Sequence, residues 1–274
     1  MLSRVQSKCA VRMDKYKDTL LTGIKQLYIL GSLPNKKLYA DNKAIAEIKR
    51  LESVSLNSNP SMWNRTDADE SVKIAFLNAN SIKEKCSWIK SDYHLQKAQV
   101  ICLSETWIED TDPGFSLSLP GFKLSLCNVG RGQGLATYHR EEGVFTLEKS
   151  FKSSRVTIIK LTSDRLDIIS IYRSSDGDLE TLVEQMRSLI SPDKNCVVGG
   201  DMNLNLLESD NNIFTQFMKS KGFQQLVKLS THIGGGLLDH CYVKIDRGNV
   251  CVELCPKVYS DHDAVLVSYH QIAM

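Results

Sequence analysis

Short apolar runs that each break off at an acid, an amide or a histidine are the strongest constraint on what this chain can fold into. VKIAFLN closes on Asn78, VICLS leads to Glu105, and CVVGG leads to Asp201 and Asn203. GGGLL leads to Asp239 and His240, while Asp261 and His262 stand directly before AVLVSY. Runs of this length, rich in Val, Ile and Leu and bounded by turn residues, read as buried strands. Singly, each polar residue has an ordinary reading: Asn78 as a turn residue, Glu105 as a helix start, Asp201-Met202-Asn203 as an Asx turn, Asp261 as a loop acid. Jointly they say more. In a sandwich the ends of central strands converge on one rim, and carboxylates and amides gathered there offer the hard oxygen ligands that Mg²⁺ takes. A histidine beside a second carboxylate can be fixed in one tautomer or kept protonated against a phosphate. Together these groups are equipment for metal-assisted hydrolysis of a phosphodiester.

The remaining pattern predicts a mixed α/β sandwich. Strands are expected at Val72–Asn78, Ala98–Ser104, Gly134–Tyr138, Arg155–Leu161, Leu166–Tyr172, Asn195–Gly199, Leu238–Val243, Val250–Cys255 and Ala264–Tyr269. The fourth and fifth form a hairpin that turns at Ser163–Arg165. Helices are expected at Ile82–Lys97, Leu179–Ile190 and Asn212–Lys221. Strands do not alternate one for one with helices, which argues against a doubly wound parallel sheet. Residues 53–71, rich in Ser, Asn and Asp, read as a linker. Before them Asn42–Leu51 has helical spacing, and residues 27–30 (LYIL) look like a short strand.

Composition excludes several classes. With 274 residues, 42% hydrophobic and 24% charged, the chain is neither disordered nor fibrous and can bury a large core without staples. No run approaches the roughly 20 apolar residues of a membrane span, and MLSRVQSKCA lacks the apolar core of a secretory signal, so a nuclear or cytoplasmic location is expected. The 8 cysteines contain no CxxC pair, and Cys102, Cys196 and Cys241 sit inside apolar runs, as small hydrophobes of a reducing compartment do. Net charge is +2: residues 1–70 carry 12 basic and 8 acidic side chains, and the rest is net −2. A DNA partner would therefore be met by a local groove and bound metal rather than by bulk charge. No obligate protein partner is expected.

From about Val72 onward the segments FLNANS, ICLSETW, GQGLATYHR, ISIYRS, VVGGDMN, LLDHCYV and YSDHDAVLVSY resemble, in order, those of the endonuclease/exonuclease/phosphatase superfamily, which includes deoxyribonuclease I and the abasic-site endonucleases. They look most like the endonuclease domains of non-LTR retrotransposons. The resemblance implies a deoxyribonuclease-I-like four-layer α/β (α+β) sandwich over residues 72–274, acting as a Mg²⁺- or Mn²⁺-dependent endonuclease on DNA. It implies Glu105 as the main metal ligand, Asn78 as the amide beside it and Asp261 as a second metal contact. Asp201 would activate the attacking water, with Asn203 its partner on the phosphate. His262 would face the scissile phosphate, oriented by Asp239, and Tyr172 would contact phosphate. Two stretches depart from the family: GDFN is GDMN, so Met202 is expected to fill a Phe-shaped hole loosely, and YRP is YRSSDG, so the loop after Tyr172 is expected to lose proline rigidity. The domain is also short, which implies trimmed DNA-gripping loops.

Residues 1–52 resemble the C-terminal end of PIF-type DNA helicases through MLSRVQS and QLYILGSLPNKKLYADNKAIAEIKRLE, with residues 8–25 interrupting the join. No Walker A sequence exists in the chain, so the expectation is a helicase remnant without ATPase function, in a fragment of a Helitron-like mobile-element protein. Two other activities remain open: a phosphomonoesterase of the same superfamily, and a catalytically idle fragment with an intact fold. His94, His139, His232 and His270 lie apart from the acids in sequence and read as core or surface histidines. Gly234–Gly236 reads as a flexible approach to Asp239, and Trp63, Trp88 and Trp107 as packing anchors.

Overall fold

The computed structural model describes residues 71–109, 117–246 and 249–270. The expectations for residues 1–70, namely the helicase remnant over 1–52 and nearly all of the linker over 53–71, fall outside these. Ser71, the linker's last residue, opens the first strand.

Two six-stranded mixed sheets face each other among the described residues. The first runs β11 (Asn249–Cys255), β12 (Ala264–His270), β1 (Ser71–Asn78), β2 (Val100–Ser104), β4 (Leu135–Arg140), β3 (Phe122–Cys127). The second runs β5 (Thr146–Lys152), β6 (Val156–Thr162), β7 (Leu166–Arg173), β8 (Asn195–Asp201), β10 (Asp239–Lys244), β9 (Gln224–Gln225). Helices α1 (Ile82–Ser91) and α2 (Tyr93–Lys97) follow β1, α3 (Leu179–Leu189) follows β7, and α4 (Ile213–Ser220) follows β8.

The period of two explains the layering. Ile74 and Phe76 of β1 join Ile159, Val197, Cys241 and Val265 in the core between the sheets. Ala75 and Leu77, on the opposite face of the same strand, pack under α1 and α2 with Ile82, Ile89 and Leu95. In the second sheet Ile158, Ile169, Val198 and Tyr242 turn outward beneath α3 and α4, meeting Leu182, Met186, Phe214 and Met218. Strands covered on both faces read as continuous apolar runs, as these do. The result is an α/β/β/α sandwich, as expected. Emptying one such position, Phe76→Ala, would cost about 3–5 kcal/mol.

Two polar bonds tie the sheets together inside or at the ends of this core. Thr137 Oγ1 and Ser170 Oγ lie 2.8 Å apart at the buried interface, and Asn195 Nδ2 donates to the Tyr269 hydroxyl at 3.1 Å. Buried Lys160 is held between Asp167 at 2.8 Å and Glu148 at 2.9 Å, so that cation is a structural one.

Three details depart from expectation. The single helix over Ile82–Lys97 is two: Asp92 accepts from the backbone N–H of His94 and Leu95 and so restarts the turn. Strands β3 and β5 carry no marked apolar pattern, because they are edge strands whose polar side chains face water. The YRSSDG loop is not loosened: the buried Arg173 guanidinium donates to the carbonyls of Ser174 at 2.6 Å, Ser175 at 3.1 Å and Gly177 at 3.2 Å. No described helix is long and apolar enough to cross a membrane. The described cysteines are free thiols, and Cys102, Cys196 and Cys241 are buried.

Candidate active site

Topology sets the rim. β1 and β2 are parallel, as are β7 and β8, so the C-terminal ends of each pair point the same way. Their antiparallel neighbours β12 and β10 bring N-terminal ends to the same places: Asp239 pairs with Asp201, and Tyr172 with Asp201. The expected residues thus occupy adjoining strand ends, with Asp239 opening a strand rather than closing one.

Side chains then meet across the two sheets. Asn78 Nδ2 donates to Glu105 Oε1 at 3.0 Å and to Asp201 Oδ2 at 2.8 Å. It also lies 3.4 Å from His262 Nε2. The amide is fixed this way round because its oxygen accepts the Asn80 N–H at 2.9 Å. The Asn78 nitrogen, rather than its oxygen, therefore faces the carboxylates. Asp201 also accepts the Asn203 N–H at 2.9 Å, so the Asx turn and the functional placement are the same feature. Asn203 Nδ2 donates to the Arg173 carbonyl at 2.8 Å. His262 Nδ1 and Asp239 Oδ2 lie 2.7 Å apart. The Tyr172 hydroxyl donates to the Gly132 carbonyl at 2.8 Å and lies 3.5 Å from Glu105 Oε1.

The backbone is shaped to hold this. Glu105, Trp107 and Asn203 have φ of 50°, 57° and 48°, a region that few non-glycine residues adopt and that clusters at functional sites. Gly199 and Gly200 of VVGGD are both required. A Cβ on Gly199 would lie 2.7 Å from the Phe76 ring, and Gly200 has φ 126° and no room for a Cβ, which would collide with the Ile171 carbonyl oxygen. Met202 is fully buried within the apolar cluster that α3 and α4 cover.

Electrostatics follow from burial and crowding of like charges. Burial, and then the charge of Asp239, push the Asp201 carboxyl up to about 7, against His262 and the hydrogen bonds from Asn203 and Asn78. Burial by itself would lower His262, but the charge and hydrogen bond of Asp239, with Asp201 and Asp261, outweigh it and raise the imidazolium to about 10. Burial pushes the Tyr172 hydroxyl well above its ordinary value, with Glu105 and Asp201 adding to it. His240 is a different case: burial drops it to about 4, and its ring bonds to the Leu204 carbonyl and Tyr242 hydroxyl mark it as structural.

The donor set fits a hard cation. Glu105 and Asp201 share a single amide nitrogen, and neither makes an ion pair with Lys or Arg among the described residues. Ligand atoms of Asp201, Asp239 and His262 all lie within 4.8 Å of one another. Asp261 is placed differently: both its oxygens accept from Asn80 Nδ2, at 3.0 and 3.1 Å, and it lies 3.8 Å from His232 Nε2. Burial raises Asp261, but the nearby His232 ring, the Asn80 hydrogen bonds and the charge of His262 win, holding it well below the usual carboxylate range.

Sequence reasoning missed two members and misread a third. His232 forms an isolated antiparallel bridge with His262, and their ring centroids are 4.7 Å apart. Asn80 completes the Asp261 contacts. No local signal marks either, since His232 is brought there only by long-range pairing. Gly234–Gly236 is accordingly a bonded turn rather than a flexible lead-in: the Thr231 and His232 N–H groups both donate to the Gly236 carbonyl. Trp107, read as a packing anchor, donates its indole N–H to Glu105 Oε2 at 3.3 Å. Trp88 is 54% exposed and stacks on Tyr259 instead of anchoring a core.

The fold is shared with solved nucleases and phosphatases. The endonuclease domain of TRAS1, a telomere-specific non-LTR retrotransposon, superposes with TM-score 0.56 at 13% identity, covering 73% of this chain and 99% of that one. An AP endonuclease from Archaeoglobus fulgidus gives TM-score 0.53 at 16% identity, covering 72% and 99%. The 3′ phosphatase NExo from Neisseria, bound to product DNA hairpin, gives 0.52 at 14%, covering 72% and 99%. No curated protein matches by sequence. The Endonuclease/Exonuclease/phosphatase family profile matches residues 75–262, a span that runs from β1 to the His262 imidazole. The chain belongs to the endonuclease/exonuclease/phosphatase family.

Proposed function

We propose that this domain is a divalent-metal-dependent endonuclease that hydrolyses phosphodiester bonds in DNA, and that it derives from a mobile element. The observation that carries the reading is the meeting, at one buried rim, of Glu105, Asn78 and Asp201 with the Asp239–His262 pair. Glu105 is the principal residue for holding Mg²⁺ or Mn²⁺, with Asn78 fixing its orientation. The bound cation supplies Lewis-acid neutralisation of charge on the phosphate.

The chain's own groups do the rest. Asp201, with a carboxyl near 7, accepts the proton of an attacking water at neutral pH. Asn203 holds Asp201 through its backbone N–H, while its side-chain amide donates to the Arg173 carbonyl and so fixes the turn. His262 stays protonated beside Asp239 and stabilises the extra negative charge on the five-coordinate phosphate. Tyr172 contacts the phosphate next to Glu105.

The test is nicking of supercoiled plasmid with Mg²⁺, against EDTA and against Glu105→Ala. Metal-dependent nicking that Glu105→Ala abolishes is the expected result. Release of inorganic phosphate from a soluble phosphomonoester, without nicking at low salt, would replace the endonuclease reading by a phosphatase one. Absence of both activities would make this an idle domain.

A further inference from the structure

His232 is tied down more tightly than a surface histidine needs to be. Its Nδ1 accepts the Gly234 N–H at 3.0 Å, so that nitrogen carries no proton and Nε2 does. Its backbone is held on both sides: the His232 N–H donates to Gly236, the Ile233 N–H to Asp261, and the Asp263 N–H to Thr231. Thr231 Oγ1 in turn accepts from the N–H groups of Leu238 and Asp239, which ties the same turn to the acid that orients His262. Gly234 is part of the device, since a Cβ there would lie 2.9 Å from His232 Nδ1.

The ring so fixed sits against His262 at 4.7 Å with its planes tilted by 59°. Its Nε2 points toward Asp261, yet at 3.8 Å that contact is too long for a direct hydrogen bond. Asp261 is itself pinned through Asn80. The site therefore contains two Asp–His pairs side by side: Asp239 with His262, closed at 2.7 Å and buried, and Asp261 with His232, open and at the rim, where the His232 side chain is 28% exposed. An oriented N–H donor left without a close acceptor, one ring away from the phosphate-facing histidine, is a ready contact for a second phosphate.

We propose that His232 is a substrate-binding residue whose Nε2–H, oriented by the Gly234 N–H and Asp261, donates a hydrogen bond to a DNA phosphate flanking the scissile one. This rests on the nuclease reading above for its ligand. A flanking phosphate is held equally before and during reaction, so the contact is uniform binding: it acts on KM and leaves kcat alone. A merely structural His232 would act through His262 and lower kcat instead.

The experiment measures kcat and KM for Mg²⁺-dependent cleavage of a duplex oligonucleotide, and Kd for the same duplex in EDTA, using the full chain. His232→Phe keeps the ring packing and removes the donor. It is expected to raise KM and Kd about tenfold, the worth of a hydrogen bond to a charged group, with kcat within about twofold. His232→Gln, whose amide nitrogen reaches about as far as Nε2, should recover most of that affinity. Gly234→Ala, which pushes the ring aside, should reproduce the KM defect. A fall in kcat at constant KM, or unchanged affinity in His232→Phe, overturns the proposal and leaves the nuclease reading standing. If the wild-type chain does not cleave but His232→Phe still loses affinity for the duplex, the nuclease reading fails and the phosphate contact survives.

Discussion

His262 and Asp239 come from different sheets and meet at 2.7 Å. His262 lies at the entrance to β12 in one sheet, and Asp239 is the first residue of β10 in the other. The pair is therefore a joint between the two halves of the sandwich as well as an orienting dyad. Asn78 bridges the same seam in the other direction by donating to Asp201. Any loss of register between the sheets would separate the groups that the proposed chemistry needs together.

The first prediction follows from that joint. In EDTA the wild-type His262 imidazolium should hold its proton across the neutral range and release it toward about pH 10. Because this value is raised above the ordinary 6.5, the pair contributes stability that is fully present below that pH and is lost as pH rises through about 10. Asp239→Asn removes the largest opposing charge, so His262 should titrate markedly lower, and the fall in Tm between pH 6 and 10 should shrink. Histidine ring NMR and thermal melts read both. A His262 that titrates normally in the wild type would refute the arrangement.

Asp201 should show the same sign in a lower pH window. Its folded value, about 7, lies above the ordinary 3.8, so the native state binds the extra proton between those values and stability falls as pH rises through that window. Asp201→Asn keeps the size and removes the charge. It should be more stable relative to wild type at pH 8 than at pH 4 in EDTA, by urea unfolding, while turnover drops on the order of a hundredfold or more through loss of the general base. Equal stability differences at the two pH values would show that the buried charge is not the cause.

Glu105 is expected to govern the cation. Its carboxylate faces Asn78, Trp107 and Tyr172 without a neighbouring Lys or Arg ion pair among the described residues. Glu105→Gln should weaken Mn²⁺ binding, read by calorimetry, at least about tenfold, and nicking by about a hundredfold or more, with the circular dichroism spectrum unchanged. Unaltered Mn²⁺ affinity would move the principal metal position to the group formed by Asp201, Asp239 and His262.

How much of this the sequence carried depends on the range of the interaction. Strands covered on both faces were legible, because a run such as VICLS has no solvent-facing position to interrupt it. The edge strands β3 and β5 were not, since FKLSLC and TLEKSFK dilute the pattern with residues that face water. Site residues at the ends of buried runs, from Asn78 to His262, were legible as departures from apolarity. His232 and Asn80 were not, because their roles come from contacts to Asp261 that lie 29 and 181 positions away. The break at Asp92 is intermediate: the residue is a good N-cap by type, but what holds it there is Lys257 at 2.7 Å and the Tyr259 hydroxyl at 2.6 Å, both distant in sequence.

The last prediction concerns the loop that follows Tyr172, where this chain has serine in place of the family's proline. Rigidity there is supplied by Arg173, 3% exposed, whose Nη1 donates to three carbonyls of the one loop, those of Ser174, Ser175 and Gly177. Its own carbonyl accepts from Asn203 Nδ2, so the same residue links the loop to the Asp201 turn. Arg173→Met keeps the apolar stem but leaves those carbonyls without a donor, and it should cost about 2–4 kcal/mol in urea unfolding, with a loss of nicking that exceeds the loss of metal affinity. Ser174→Pro, which installs the family's residue, should not stabilise. The Ser174 N–H donates to the Arg155 carbonyl at 2.8 Å, and proline has no N–H to give, so that bond is forfeited at about 1 kcal/mol. If Ser174→Pro instead raised Tm, the loop would be limited by its unfolded-state entropy rather than by the arginine clamp, and the Arg173→Met penalty should then come out small as well.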